Sequence, residues 1–185
     1  MKNNNSLHFS INGITSILIG AYLFLAGFLI ESILTGFVTD NHPLGMLSAE
    51  IIEFLIIGIL ISFFLFSSLA FFFKAKRNAK KINLKLWNTD TKKAALKYST
   101  TFIFGFVVLI SLTKMGFIKY ITPSFLTFYS ILILLFIGKK DTNKLLLMAL
   151  GLFLALICFL IPSYWSAAIS ILAIAHITYG VVTRK

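Results

Sequence analysis

Residues 49–97 read AEIIEFLIIGILISFFLFSSLAFFFKAKRNAKKINLKLWNTDTKKAALK. Up to Phe73 the stretch is almost wholly apolar, and from Lys74 to Lys97 it holds nine cations: Lys74, Lys76, Arg77, Lys80, Lys81, Lys85, Lys92, Lys93 and Lys97. A hydrocarbon layer ~30 Å thick is crossed by about 20 helical residues. The first half is therefore read as a membrane-spanning helix and the second as the segment that stays behind on one side. Five further runs have the same character: Ile11 to Val38, Ser99 to Ile118, Pro123 to Gly138, Leu145 to Ile161 and Ser163 to Val181. The expected fold is an all-α polytopic membrane bundle, one domain over residues 1–185, with six spans at 11–38, 49–73, 99–118, 123–138, 145–161 and 163–181 arranged as three hairpins.

Charge supports the even count. On the side of the 74–97 segment lie Lys2, the nine cations already named, Lys139, Lys140 and Lys144, and finally Arg184 and Lys185. That makes fifteen of the chain's 17 Lys and Arg residues, against Lys114 and Lys119 on the other side. Loops rich in Lys and Arg are retained in the cytoplasm, so both ends of the sequence are expected there. The first run is too long for a signal-peptide core and has no small-residue cleavage site after it, so it is expected to remain as a helix.

Composition narrows the class further. The chain is 58% hydrophobic and 12% charged, where a soluble domain averages roughly 25% charged residues. Lipid must face much of its surface. The net charge of +11 does not imply nucleic acid, because the cations sit in short segments beside apolar spans and not on a folded basic face. There they set orientation and meet anionic lipid. The basic loop 74–98 also carries Ile82, Leu84, Leu86 and Trp87. It reads either as a segment lying in the headgroups or as a partly helical solvated loop. The single cysteine, Cys158, lies in an apolar run and has no intrachain partner.

Helix ends carry local signals. Ser48 is placed to cap the second span, with Glu50 in its first turn. Thr122 and Pro123 read as N-cap and first residue of the fourth. Asn88 or Thr89 is placed to start a helix that runs through Lys97 into the third span. Pro162 and Ser163 form a tight turn, and Tyr164 and Trp165 suit the outer interface.

Few residues offer chemistry. At helical periodicity Gly13, Ser16, Gly20, Phe24, Gly27, Glu31 and Thr35 fall on one stripe of the first helix. Small residues on such a stripe mark the close approach of another helix. Glu31 is expected to point into the bundle, where an ionisable group is a functional candidate. Three roles are open for it: a structural pair with Lys114 of the third span, proton or cation handling, or a side chain reaching to water. Asp40, His42, Glu50 and Glu53 lie nearby on the outer side, yet no recognised metal-binding spacing joins them. His176 lies on the face of Ser166, Ala173 and Gly180 and reads as a neutral histidine bonded to another helix, or as a proton relay. On the fifth span, Gly151, Ala155 and Cys158 form a small-residue face expected to pack the last hairpin tightly. The candidate intramembrane polar residues are thus Glu31, Lys114, Glu53 and His176, with no catalytic, cofactor-binding or metal residue assigned.

Lys85-Leu86-Trp87, Ile121-Thr122-Pro123 with Leu126-Thr127-Phe128-Tyr129, and Ala175-His176-Ile177-Thr178-Tyr179-Gly180 resemble an uncharacterised six-helix membrane protein family of Bacteroidetes-type bacteria. The resemblance covers about 74–180 and departs at Ser130, where that family usually has glycine. It implies a bacterial inner-membrane location and no known activity. The hairpin layout is also similar in pattern to the acid-resistance membrane protein family.

The expected function is that of a non-enzymatic inner-membrane protein acting through helix packing with a partner or another copy of itself. A small proton- or cation-linked transporter or channel using Glu31 is the alternative. No cofactor is implied. Reporter fusions test the topology: a reporter active only in the cytoplasm is expected to work when fused after Asn88, and activity of a periplasm-only reporter there would reverse the orientation.

Overall fold

The computed structural model describes residues 11–39, 42–81, 89–135 and 142–184. It is all-α, with α1 (Ile14–Val38), α2 (Ala49–Lys81), α3 (Thr89–Lys114), α4 (Ile121–Leu135), α5 (Thr142–Leu160) and α6 (Trp165–Val182). Each of the six is long and apolar enough to cross a membrane. Their outer faces are bare hydrocarbon: Phe28, Phe54, Leu146 and Phe153 are each more than half exposed. In water such a surface would be an aggregation liability, whereas in lipid it is the solvated surface. The chain is a multi-pass membrane protein.

The helix ends follow local chemistry. The Ser48 hydroxyl accepts the Ile51 N–H at 3.4 Å at the head of α2. Short 3-10 turns at Pro43–Met46, Ile118–Tyr120 and Pro162–Tyr164 join the helices of each hairpin. Gly116 (φ 75°) closes α3 in the left-handed region. The Phe117 N–H then bonds the Leu112 carbonyl at 2.9 Å and the Gly116 N–H bonds that of Thr113 at 3.0 Å, which satisfies two carbonyls of the last turn.

Two boundaries differ from the sequence expectation. The fourth helix begins at Ile121, directly on the 3-10 turn. Thr122 is therefore inside the helix and not its cap, because the preceding turn already supplies helical backbone. The basic segment is helical at its start, since α2 continues to Lys81, eight residues past the apolar run. Helix α3 begins at Thr89, as the sequence suggested, and both helices project beyond the apolar layer. At 33 residues α2 is roughly 50 Å long, well over the ~30 Å it must cross. Ile82, Leu84, Leu86 and Trp87 lie outside the described residues, as do Asp40 and the end of the expected fourth span beyond Leu135.

The helices form a ring. Neighbours pack in the order α2, α1, α6, α5, α4, α3. The circuit closes from α3 back to α2 through aromatic side chains, with Phe64–Phe102 ring centroids 4.5 Å apart and Phe71–Tyr98 centroids 6.1 Å apart. The Ser68 and Tyr98 hydroxyls bond there at 2.9 Å. The first and last helices make the closest seam. A Cβ added to Gly20 would sit 2.6 Å from the Ala173 carbonyl oxygen, and one added to Gly180 would sit 2.7 Å from the Ile17 backbone nitrogen. At the same end the Gly13 N–H donates to the Thr183 hydroxyl at 2.9 Å.

The small face of the fifth helix is turned differently from the expectation. A Cβ on Gly151 would collide with the Ser130 hydroxyl, so this face approaches α4 most closely and not α6. Ser130 itself donates to the Leu126 carbonyl at 2.8 Å, which folds its side chain against its own helix and leaves room for the neighbour. Cys158 is fully buried and acts as a small packing group.

These contacts separate three glycines. Gly20→Ala and Gly180→Ala are each expected to destabilise by about 1–3 kcal/mol, because the clash is with backbone and cannot be relieved by a side-chain rotation. Gly58→Ala, which meets nothing within 4 Å, is expected to be neutral or to stabilise by up to ~1 kcal/mol through helix propensity. Thermal unfolding of the three variants in one detergent checks the order.

Candidate functional site

The polar centre of the ring is His176. It is fully buried and sits about 9 Å along α6 from its last residue, Val182. Its Nε2 lies 2.8 Å from the Tyr129 hydroxyl of α4, and its Nδ1 lies 3.1 Å from the Ser16 hydroxyl of α1. Ser16 has one proton, and it goes to the His176 carbonyl at 2.8 Å. The Ser16 oxygen therefore accepts from Nδ1–H. Nε2 is then the unprotonated nitrogen and accepts from the Tyr129 O–H. A neutral ring satisfies every partner, with the tautomer assigned from this network. The Tyr129 and His176 rings meet edge to face at 5.5 Å. One residue thus ties α1, α4 and α6 together across the bundle. The expected interhelical bond is present, and Ala173 and Gly180 of the expected face are buried with it.

A second polar layer lies one turn nearer the end where α1 begins and α6 finishes. The Tyr179 hydroxyl donates to Asn12 Oδ1 at 2.8 Å, and Lys74 Nζ donates to the Asn12 carbonyl. Lys144, in the first turn of α5, is buried and near enough for its charge to oppose that of Lys74. This is the basic end of the molecule.

Glu31 is not inside the bundle. It is exposed, and its Oε2 accepts from the Ser166 hydroxyl of α6 at 2.7 Å. No ion pair with Lys114 forms among the described residues, and Lys114 is exposed at the end of α3. The reason is rotational. Ile30 faces the core, and the next residue is turned about 100° away. The buried stripe of α1 runs through Ser16, Gly20, Leu23, Gly27 and Ile30, while Phe24, Glu31 and Thr35 form its exposed edge. Glu53 is half-buried in the second turn of α2. The His42 ring accepts the Leu44 N–H at 3.2 Å and is occupied in local turn structure. Among the described residues no three His, Cys, Asp or Glu side chains converge on a point.

Two cavities flank the polar centre. One, of about 480 Å³, lies towards the end where α1 finishes and α6 begins and is walled by α1, α2, α3, α4 and α6. Its lining is almost wholly apolar, with Leu23, Ile30, Leu60, Phe63, Phe125 and Ile169 forming the body, and Lys119, Thr122 and Ser163 the polar groups. The other, of about 550 Å³, lies at the basic end between α1, α2 and the tail of α6. Glu31 lines neither; it belongs to a separate recess with Ser32, Thr35 and His42. The sequence identified His176 and placed Ser16 on the stripe that meets another helix, but it revealed neither the bond between them nor Tyr129 nor either cavity.

No family model, no curated protein and no solved structure matches the chain. The family resemblance therefore rests on the residues quoted for it alone.

The three-way bond makes a quantitative expectation. Tyr129→Phe and Ser16→Ala are each expected to cost about 0.5–1.7 kcal/mol, the range for hydrogen bonds between membrane helices. In a double-mutant cycle, Tyr129→Phe combined with His176→Leu should show a coupling of similar size measured by unfolding. Strict additivity would remove the bond from the account.

Proposed function

We propose that this chain is a non-enzymatic protein of a bacterial inner membrane, with its basic end in the cytoplasm, and that it works by binding an apolar ligand such as a lipid-like chain. The observation that carries this reading is the 480 Å³ cavity. Ligand sites are concave, largely apolar volumes of about 300–1,000 Å³ with a few polar groups that fix orientation. This one has that composition, and Lys119, Thr122 and Ser163 are the groups available to hold a polar head. The reading replaces the expectation of a protein that acts through helix packing with a partner or another copy of itself, since the occupant is a ligand and not a neighbouring helix. Chemistry on the ligand is not part of it. The buried His176 is engaged in joining helices, its Nδ1–H donating to the Ser16 hydroxyl and its Nε2 accepting from the Tyr129 hydroxyl. The transporter alternative is less favoured by the geometry, since Glu31 is exposed and lines a separate recess with Ser32, Thr35 and His42.

Filling the cavity tests the proposal. Leu60 is half-buried on its wall, and Leu60→Trp adds volume there without touching the α1–α6 seam. Native mass spectrometry of the purified protein is expected to show a co-purifying apolar molecule that is lost in Leu60→Trp while the melting temperature is held or raised. Equal ligand content in the variant would reject the cavity as the binding site.

A further inference from the structure

We propose that the cleft at the basic end is a binding site for a single anionic phospholipid, its phosphate held by Lys74, Arg77 and Arg184 and its chain laid along the apolar wall between α1 and α2. The proposal rests on the membrane reading of the fold and is independent of the apolar cavity at the opposite end.

The cleft holds about 550 Å³ and has two distinct parts. At its head are Lys74 and Arg77 of α2 and Arg184 just past α6. Among the described residues no acidic side chain lines it. Arg77 and Arg184 are exposed and converge from different helices. Lys144 adds like charge behind Lys74. The positive end of the α1 dipole meets the same place, since Gly13 lines the cleft as the N-cap residue and its N–H is anchored to Thr183. Three converging cations and a helix start form a surface whose own repulsion an anion relieves. Arginine in particular presents a donor fork that matches phosphate oxygens.

The lower part is hydrocarbon. Ile14 and Leu18 of α1 face Phe66, Leu69 and Phe73 of α2 across it. From Phe66 to Lys74 the wall runs about 12 Å along the helix, enough for the upper half of an acyl chain. Lys74 is the first charge after the apolar run of α2, so the boundary between the two parts lies where headgroup gives way to hydrocarbon. A soluble anion would use only the head of this cleft, whereas a phospholipid uses both parts. Basic pockets between membrane helices are suited to anionic headgroups. The chain's own residues 1–10 are a poorer complement, since they carry Lys2 and no acid.

The full chain in nanodiscs or detergent is titrated with phosphatidylglycerol, with phosphatidylcholine and with inorganic phosphate, and binding is read by native mass spectrometry. One phosphatidylglycerol per chain is expected, with phosphatidylcholine at least about tenfold weaker and no competition from inorganic phosphate at equal concentration. Arg77→Gln with Arg184→Gln is expected to weaken phosphatidylglycerol by about tenfold or more. Lys92→Gln with Lys93→Gln, which removes the same charge from exposed positions on α3, is expected to leave it unchanged. Leu60→Trp is expected to leave it unchanged as well, which separates this site from the apolar cavity. Equal losses in the two charge variants, equal binding of the zwitterionic lipid, or displacement by free phosphate would each overturn the site. A photo-crosslinking residue at Asn78, which lines the cleft, is expected to label lipid. Labelling of residues 1–10 or of a second copy instead would give the cleft to that occupant and also overturn it.

Discussion

The seam between α1 and α6 is the constraint on which the bundle depends. Lipid tails are as apolar as leucine, so burying leucine against leucine gives membrane helices little reason to associate. Close backbone approach and interhelical hydrogen bonds supply it instead. The first and last helices have both. Gly20 lets the α6 backbone at Ala173 come within reach of α1, Gly180 does the same for the α1 backbone at Ile17, and Ser16 bonds both the ring and the carbonyl of His176. Once the two helices at the ends of the fold are joined, the four between them must run out and back as a circuit. That requirement yields the observed order α2, α1, α6, α5, α4, α3.

The circuit is not closed equally tightly all the way round. Small residues join α1 to α6 and α4 to α5. Large rings join α2 to α3, through Phe64, Phe71, Tyr98 and Phe102. Two phenyl rings edge to face hold backbones farther apart than a glycine against a carbonyl. The apolar cavity lies where this difference has to be absorbed. It is bounded on one side by the close-packed Gly27 and Ile169 of the seam and on the other by Leu60 and Leu109 of the aromatic half. The cavity is thus a consequence of which residue sizes occupy which interfaces.

The same physics explains what the sequence revealed. Six spans were legible because lipid imposes a length and expels charge, and both requirements act on the chain one segment at a time. The inward direction of His176 was legible because Ala173 and Gly180 flank it at one-turn spacing. Its partners were not. Ser16 is 160 residues away and Tyr129 is 47, and no periodicity within one helix reports on the rotation of another. Glu31 shows the limit even within a helix. A stripe drawn through Phe24 and Glu31 is displaced only a fraction of a turn from the true one through Leu23 and Ile30, yet that fraction decides between core and rim. Thr122 was misplaced for a related reason: Pro123 is acceptable anywhere in the first turn, so it marked the start of α4 without fixing it. The cavities were invisible because a void is a property of several helices at once.

The polar layer also borders the apolar cavity. Phe125 is part of the wall of the apolar cavity. One turn further along α4, Tyr129 stacks on it at 5.9 Å and holds His176. Leu126, Ile133 and Leu172 fill the same level with at most 2% of their surface exposed. Both ring nitrogens of His176 are already bonded at this level. Tyr129, Ser16 and His176 hold α1, α4 and α6 together and so fix the frame on which both recesses are built.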